Sequence, residues 1–193
     1  MDAQTACLFV FDGFADWEPA SVLAELRRTF GFSVQVVGLT RDPVKSMGGL
    51  NILPDLPIAD AQPEFTNILI LPGGDAWMRG EMKEVTAFIR AVAAAGRPVA
   101  AICGATLSLA HAGLLDHHRH TSNGNGFIPK HVPQYKGHQL YQKMRAVRDG
   151  NVITANGLAP FAFAAEVFRT VAPDRGDDIA TYEGLYSRGL LDD

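Results

Sequence analysis

Short, almost wholly apolar runs separated by segments of helical spacing constrain this chain more than any other feature. Ala6–Phe11 (ACLFVF), Asn67–Leu71 (NILIL) and Pro98–Ile102 (PVAAI) do not alternate apolar with polar side chains. A strand with one wet face alternates; one that does not is covered on both faces. Between the runs, Trp17–Phe30 carries Val22, Leu23, Leu26 and Phe30 at helical spacing, with Gly31 as its stop. Further helices are predicted over Glu81–Ala95, Gly104–Ala112, Phe161–Val171 and residues 177–187, and a further strand over Ser33–Leu39. Residues 44–53 read as a hairpin turning on Gly48-Gly49, and Met144–Ala155 as two strands joined through Asp149-Gly150. Strand and helix in alternation predict an α/β domain spanning residues 1–193, a doubly wound, mainly parallel sheet with helices on both faces. Such sheets bind ligands at the carboxyl ends of their strands.

Composition narrows the function classes. Hydrophobic residues are 47% and charged residues 20% of the 193, enough to build a core without staples. A net charge of −4 with no basic run argues against nucleic acid. The start, MDAQTACLFVF, lacks the basic segment and cleavage site of a signal peptide, and no apolar stretch reaches membrane-spanning length. Two cysteines, Cys7 and Cys103, make no disulfide framework. A cytoplasmic protein with a free thiol at 103, no bound cofactor and a small-molecule substrate is the expectation.

That thiol lies in VAAICGATLSLA, residues 99–110, at the joint between a strand and a helix. A nucleophile on so sharp a turn needs small neighbours, and here Ala101, Gly104 and Ala105 supply them. The following helix directs its N-terminal N–H groups at the sulfur, which would lower the thiol pKa. The bland reading is a buried small hydrophobe, which suits Cys7 within its apolar strand. A second loop, Leu71-Pro72-Gly73-Gly74-Asp75, ends a strand at the same sheet edge, and its glycines can aim backbone N–H groups into a site. A third, Asp12–Pro19, puts Glu18 in the first turn of a helix. Glu18 is there either as a helix-start charge or as a partly buried, protonated carboxyl close to Cys103 that donates a hydrogen bond to sulfur.

Together these loops resemble the ThiJ/PfpI family of the class I glutamine amidotransferase-like superfamily, over essentially the whole chain. The resemblance rests on Asp16-Trp17-Glu18, Leu71-Pro72-Gly73-Gly74 and Ala101-Ile102-Cys103-Gly104-Ala105. It implies a flavodoxin-like fold, a nucleophilic, oxidation-prone Cys103, a Glu18 carboxyl near the sulfur, and an oxyanion hole from the N–H groups of Gly74 and Gly104. It also implies a homodimer, with aromatic residues near Phe14 and Trp17 available to an interface.

The chain departs from the family's histidine-bearing members. Peptidase-like members carry a histidine directly after the nucleophile, where this chain has Gly104. Others carry one about twenty residues on, and in the matching stretch, Arg119-His120-Thr121-Ser122-Asn123, Asn123 takes its position with His120 three residues away. A thiol without an imidazole argues against proteolysis and classical glutamine hydrolysis. His118 and His120 would share one face of a strand, a conceivable metal pair, but no second cysteine or carboxylate accompanies them. Two functions remain open. One is an enzyme that uses Cys103 on a small molecule, as an amidase-like hydrolase, a hydratase, or a glyoxalase or deglycase, with Glu18 and Asp16 as proton carriers. The other is a redox-responsive or chaperone-like dimer in which Cys103 oxidises reversibly beside Glu18.

Overall fold

The computed structural model describes residues 4–80 and 82–188. Along the chain run β1 (Thr5–Phe9), α1 (Trp17–Arg28), β2 (Ser33–Gly38), β3 (Val44–Lys45), β4 (Asn51–Ile52), β5 (Leu56–Pro57) and β6 (Ile68–Leu71). Then come α2 (Lys83–Ala94), β7 (Val99–Ile102), α3 (Thr106–His111), α4 (Phe127–His131), β8 (Ala146–Asp149), β9 (Val152–Ala155), α5 (Pro160–Val171) and α6 (Gly176–Arg188). Seven strands form one sheet in the order β5-β2-β1-β6-β7-β9-β8. Every pair in it is parallel except β8 with β9.

The uninterrupted apolar runs supply the centre of this sheet. β6 and β7 are buried at every position, as covered strands must be. Helix α1 packs on α5 and α5 on α6, while α2 packs on α3 and α3 on α4, so two helical layers enclose the sheet. From β1 the order runs outward to β2 and β5 on one side and to β6 and β7 on the other. Strand order therefore reverses beside β1, and a crevice opens there at the carboxyl ends. The loops after β1, β6 and β7 all lead into it.

Several expected boundaries move for local reasons. Helix α1 stops at Arg28 rather than Phe30, because the N–H groups of Thr29 and Phe30 both turn back to the Glu25 carbonyl. The Glu25 carboxylate, mostly buried, takes Arg28 and the Thr29 hydroxyl at 2.6 and 2.5 Å. The hairpin of residues 44–53 forms as β3 and β4, apart from the main sheet. Strand β5 carries no periodicity to announce it, being two residues long and ending in a proline at the sheet edge. Glu81, the expected start of α2, lies outside the described residues. The helix expected directly after Cys103 is preceded by one 3-10 turn, Cys103–Ala105.

Phe14 is not the surface aromatic expected. It is buried against Phe11, whereas Trp17 is exposed. Cys7 is buried within β1, and burial pushes its thiol up to about 12. We predict that a thiol reagent at pH 8 modifies one cysteine per native chain, at Cys103, and the second only after unfolding. Peptide mapping of the labelled protein reads this directly.

Candidate active site

The site begins with a strained backbone. Cys103 has φ +60°, and among the described residues it alone, apart from glycines, takes a positive φ. That conformation costs an L-residue roughly 1–2 kcal/mol, and it turns the side chain out of the strand line into the crevice. The Thr106 hydroxyl donates to the Cys103 carbonyl at 2.8 Å and so fixes the turn. With its one proton committed there, Thr106 accepts from the Ser122 hydroxyl at 2.6 Å, which ties the elbow to the loop carrying Asn123.

Glu18 comes from the first turn of α1 and is wholly buried. Its Oε2 accepts the Gly73 N–H at 2.6 Å. Its Oε1 is buried without a hydrogen-bond partner, and the Cys103 sulfur stands beside the carboxyl in the same pocket floor. The Gly73 loop is held in turn by Trp77, whose Nε1 donates to the Pro72 carbonyl at 2.9 Å. A Cβ on Gly73 would stand 2.6 Å from the Cys103 Cβ and 3.0 Å from its Sγ, so only glycine fits between the two loops. Gly74, one residue on, pairs with Phe14 in an isolated bridge, and its carbonyl lies 3.0 Å from where a Cβ on Gly104 would be. It is Gly73 of this loop whose missing side chain leaves room for the sulfur.

Asn123 completes the shell. Its Oδ1 accepts the Gly157 N–H at 2.9 Å, which leaves the amide NH2 to donate to Cys103 Sγ at 3.2 Å. The backbone N–H of Gly104 also acts to lower the thiol pKa. Both donors favour the thiolate. Burial and the Glu18 carboxylate act the other way and prevail, so the thiol pKa is raised, not lowered by the helix N-terminus as expected. Burial raises Glu18 as well. Both groups are held toward their protonated forms, and ionisation of one opposes ionisation of the other.

The remaining candidates serve the frame. Asp16 accepts the Ser46 hydroxyl at 2.5 Å and packs on Gly48, which docks the β3–β4 hairpin and takes Asp16 away from the proton chemistry. His120 is buried with both ring nitrogens engaged, Nδ1 donating to the His118 carbonyl at 2.7 Å and Nε2 accepting from the Tyr135 hydroxyl at 2.6 Å. Burial lowers its pKa, so it is a neutral core imidazole. Thr121 is also internal, with its hydroxyl on the Met144 carbonyl at 2.9 Å. No strand forms at His118 and His120, and the His118 Nδ1 faces the Leu114 carbonyl, so the two rings make no metal pair.

Gly157 was not foreseen. A Cβ there would stand 2.8 Å from Sγ and 3.2 Å from Glu18 Oε1. Its signal was an Asn-Gly dipeptide, a turn former, at the carboxyl end of a predicted strand. Over the sulfur lies a cavity of about 710 Å³, lined by Trp17, Asn123, Tyr141, Lys143, Arg145 and Leu158 among others. It is large enough for a small molecule.

Residues 4–170 match the model of the DJ-1/PfpI family. The chain belongs to the DJ-1/PfpI family. It is 36% identical over 184 residues to a Bacillus subtilis (strain 168) protein named "Uncharacterized protease YoaZ", covering 90% of this chain and 88% of that one. Among solved structures, a thiJ/pfpI family protein from Bacillus anthracis superposes with a TM-score of 0.91 at 35% identity, over 98% of this chain and 93% of that one. A DJ-1 superfamily protein from Agrobacterium tumefaciens gives 0.85 at 30% identity, over 95% and 99%. The flavodoxin-like fold and the cysteine at the elbow of this family are therefore present here.

Two predictions follow from the geometry. Gly157→Ala should slow alkylation of Cys103 at least about tenfold while costing about 1–3 kcal/mol in denaturant stability through overpacking. A glutamine at position 18 tests the raised carboxyl. Because the folded pKa of Glu18 lies above its unfolded value, its contribution to stability is full at acid pH and is lost as pH rises through the folded value. Thermal unfolding of Glu18→Gln should match the wild type most closely at acid pH and gain on it towards neutral and alkaline pH.

Proposed function

We propose that the protein is a cysteine-dependent enzyme acting on a small carbonyl or nitrile-like electrophile, in the manner of a hydratase, glyoxalase or deglycase. The observation that carries this reading is a buried carboxyl with an unpartnered Oε1, set beside the Cys103 thiol at the floor of an open cavity. The sulfur adds to the electrophilic carbon and forms the S–C bond. The proton of the pair, carried by Glu18, passes to the oxygen or nitrogen that gains charge. Glu18, now ionised, is the base for the next proton transfer. The N–H groups of Gly74 and Gly104 are the donors we assign to the developing anion, Gly104 shifting from the sulfur as charge leaves it.

Asn123 supports this class over peptide hydrolysis. An amide can donate to the sulfur but cannot hold the proton that an imidazole carries through acyl transfer. The free thiol suits a reducing cytoplasm. We propose a homodimer, with Trp17, Met144 and Leu158 as the exposed apolar side chains beside the pocket that an interface could cover.

The second reading, a redox-responsive dimer, draws on the same arrangement, since Oε1 could donate to a sulfenate or sulfinate oxygen. Turnover separates the two. Purified protein would be screened against 2-oxoaldehydes, isonitriles and amides, with Cys103→Ser expected to abolish product formation. In Glu18→Gln the side-chain oxygen must accept the Gly73 N–H, so its NH2 faces the sulfur. Removing the negative charge should lower the pH midpoint of alkylation while ending turnover. His120→Ala should stay within about tenfold of wild type, less than the loss of a general base costs. Turnover that survives Cys103→Ser overturns Cys103 as the nucleophile.

A further inference from the structure

The cavity above Cys103 has a second chemical feature, and it concerns charge. Of its lining residues, three are ionisable acids or bases apart from the thiol and the phenol: Glu18 at the floor, and Lys143 and Arg145 on the wall. Both cations are exposed. None of the ion pairs among the described residues includes either.

The backbone that carries them is held firmly. The Gln142 N–H donates to the His120 carbonyl at 2.7 Å, and the His120 N–H donates to the Leu140 carbonyl at 3.2 Å. The Met144 carbonyl takes the Thr121 hydroxyl, and the Arg145 carbonyl takes the Asn156 N–H at 3.1 Å. Residues 140–145 thus form a strap pinned to the segments that bear Asn123 and Gly157, the two groups touching the sulfur environment. The buried His120 and Thr121, which take no part at the sulfur, have their role here. They fix where Lys143 and Arg145 stand.

We infer that Lys143 and Arg145 select substrates carrying a carboxylate or phosphate, so that the enzyme acts on small anionic electrophiles rather than neutral ones. The inference rests on the proposed Cys103 chemistry and supplies its substrate class. Ionisation of either member of the Cys103–Glu18 pair gives the floor a negative charge that would repel an anion. Two unpaired cations on the wall reverse that field for a ligand whose acidic group points to the strap. Arg145 offers a planar fork of donors that suits either oxyanion, and Lys143 adds a point charge.

Alkylation measures charge selection without any turnover. Iodoacetate and iodoacetamide attack the same thiolate with nearly the same shape but differ in charge. Their rate ratio cancels any change in thiolate fraction. We expect the iodoacetate-to-iodoacetamide ratio at Cys103 to exceed that of N-acetylcysteine about tenfold at low salt, the lower end of what a cleft of one charge sign delivers. The advantage should fall with added salt and vanish in K143Q/R145Q. Protection of Cys103 by acetate, or by inorganic phosphate, then tells which oxyanion the strap prefers. A ratio equal to that of N-acetylcysteine, or one unchanged in K143Q/R145Q, overturns the anion site. A Cys103 that neither reagent modifies would instead overturn the nucleophile on which the inference rests.

Discussion

One backbone donor, the N–H of Gly73, organises this molecule's chemistry. It holds one oxygen of a fully buried carboxylate on α1 and thereby clamps the loop after β1 to the loop after β6. A carboxyl that deep must be hydrogen-bonded or protonated. Glu18 is bonded on one side only. Its other oxygen is left for the sulfur of the third loop, and leaving such a buried acceptor without a partner in the fold costs about 1–3 kcal/mol. The positive φ of Cys103 adds to that cost. Both features sit at the edge of a sheet whose central strands are buried at every position, and the packing of those strands holds them in place.

From this follows a proton economy unlike that of a thiol–imidazole pair. An imidazole takes the thiol proton and leaves two opposite charges that stabilise each other. A carboxyl in the same place cannot, because two negative charges in contact repel. In the mechanism we propose, the pair instead keeps one proton and one negative charge, and that proton moves with the reaction. Asn123 and Gly104 provide the donors that steady sulfur whenever the proton lies on oxygen. Such a site is poised to add to an electrophile and to return a proton to the adduct.

How much of this could be read from the sequence differs by residue. Cys103 was legible because small neighbours and a strand–helix joint are local features. Glu18 and Gly73 were legible as loops at one sheet edge, since alternation of strand and helix dictates which ends meet. His120 was not. Whether a histidine faces a site or a core depends on a tyrosine fifteen residues away in sequence that takes its Nε2. The direction of the thiol pKa was misread for a related reason. The helix N-terminus is a local feature, whereas burial and the facing carboxylate arise only in the folded chain. Gly157 escaped because its Asn-Gly dipeptide announces a turn, whereas the need for a bare Cα beside the sulfur arises only in the folded chain.

The sheet's two margins carry a consequence for how copies of this molecule can meet. At one margin, β5 is two residues long and its Pro57 has no N–H to offer a neighbour. At the other, β8 ends in Arg148 and Asp149, which reach to Glu166 and Arg119 of their own chain. Neither margin presents a long, flat row of unused donors and acceptors. The molecule is therefore poorly suited to joining its sheet to another's, in aggregation or in assembly. What remains open to any contact between copies is the surface of the helices and loops, and the loops at the carboxyl ends of the strands are the ones that also border the thiol.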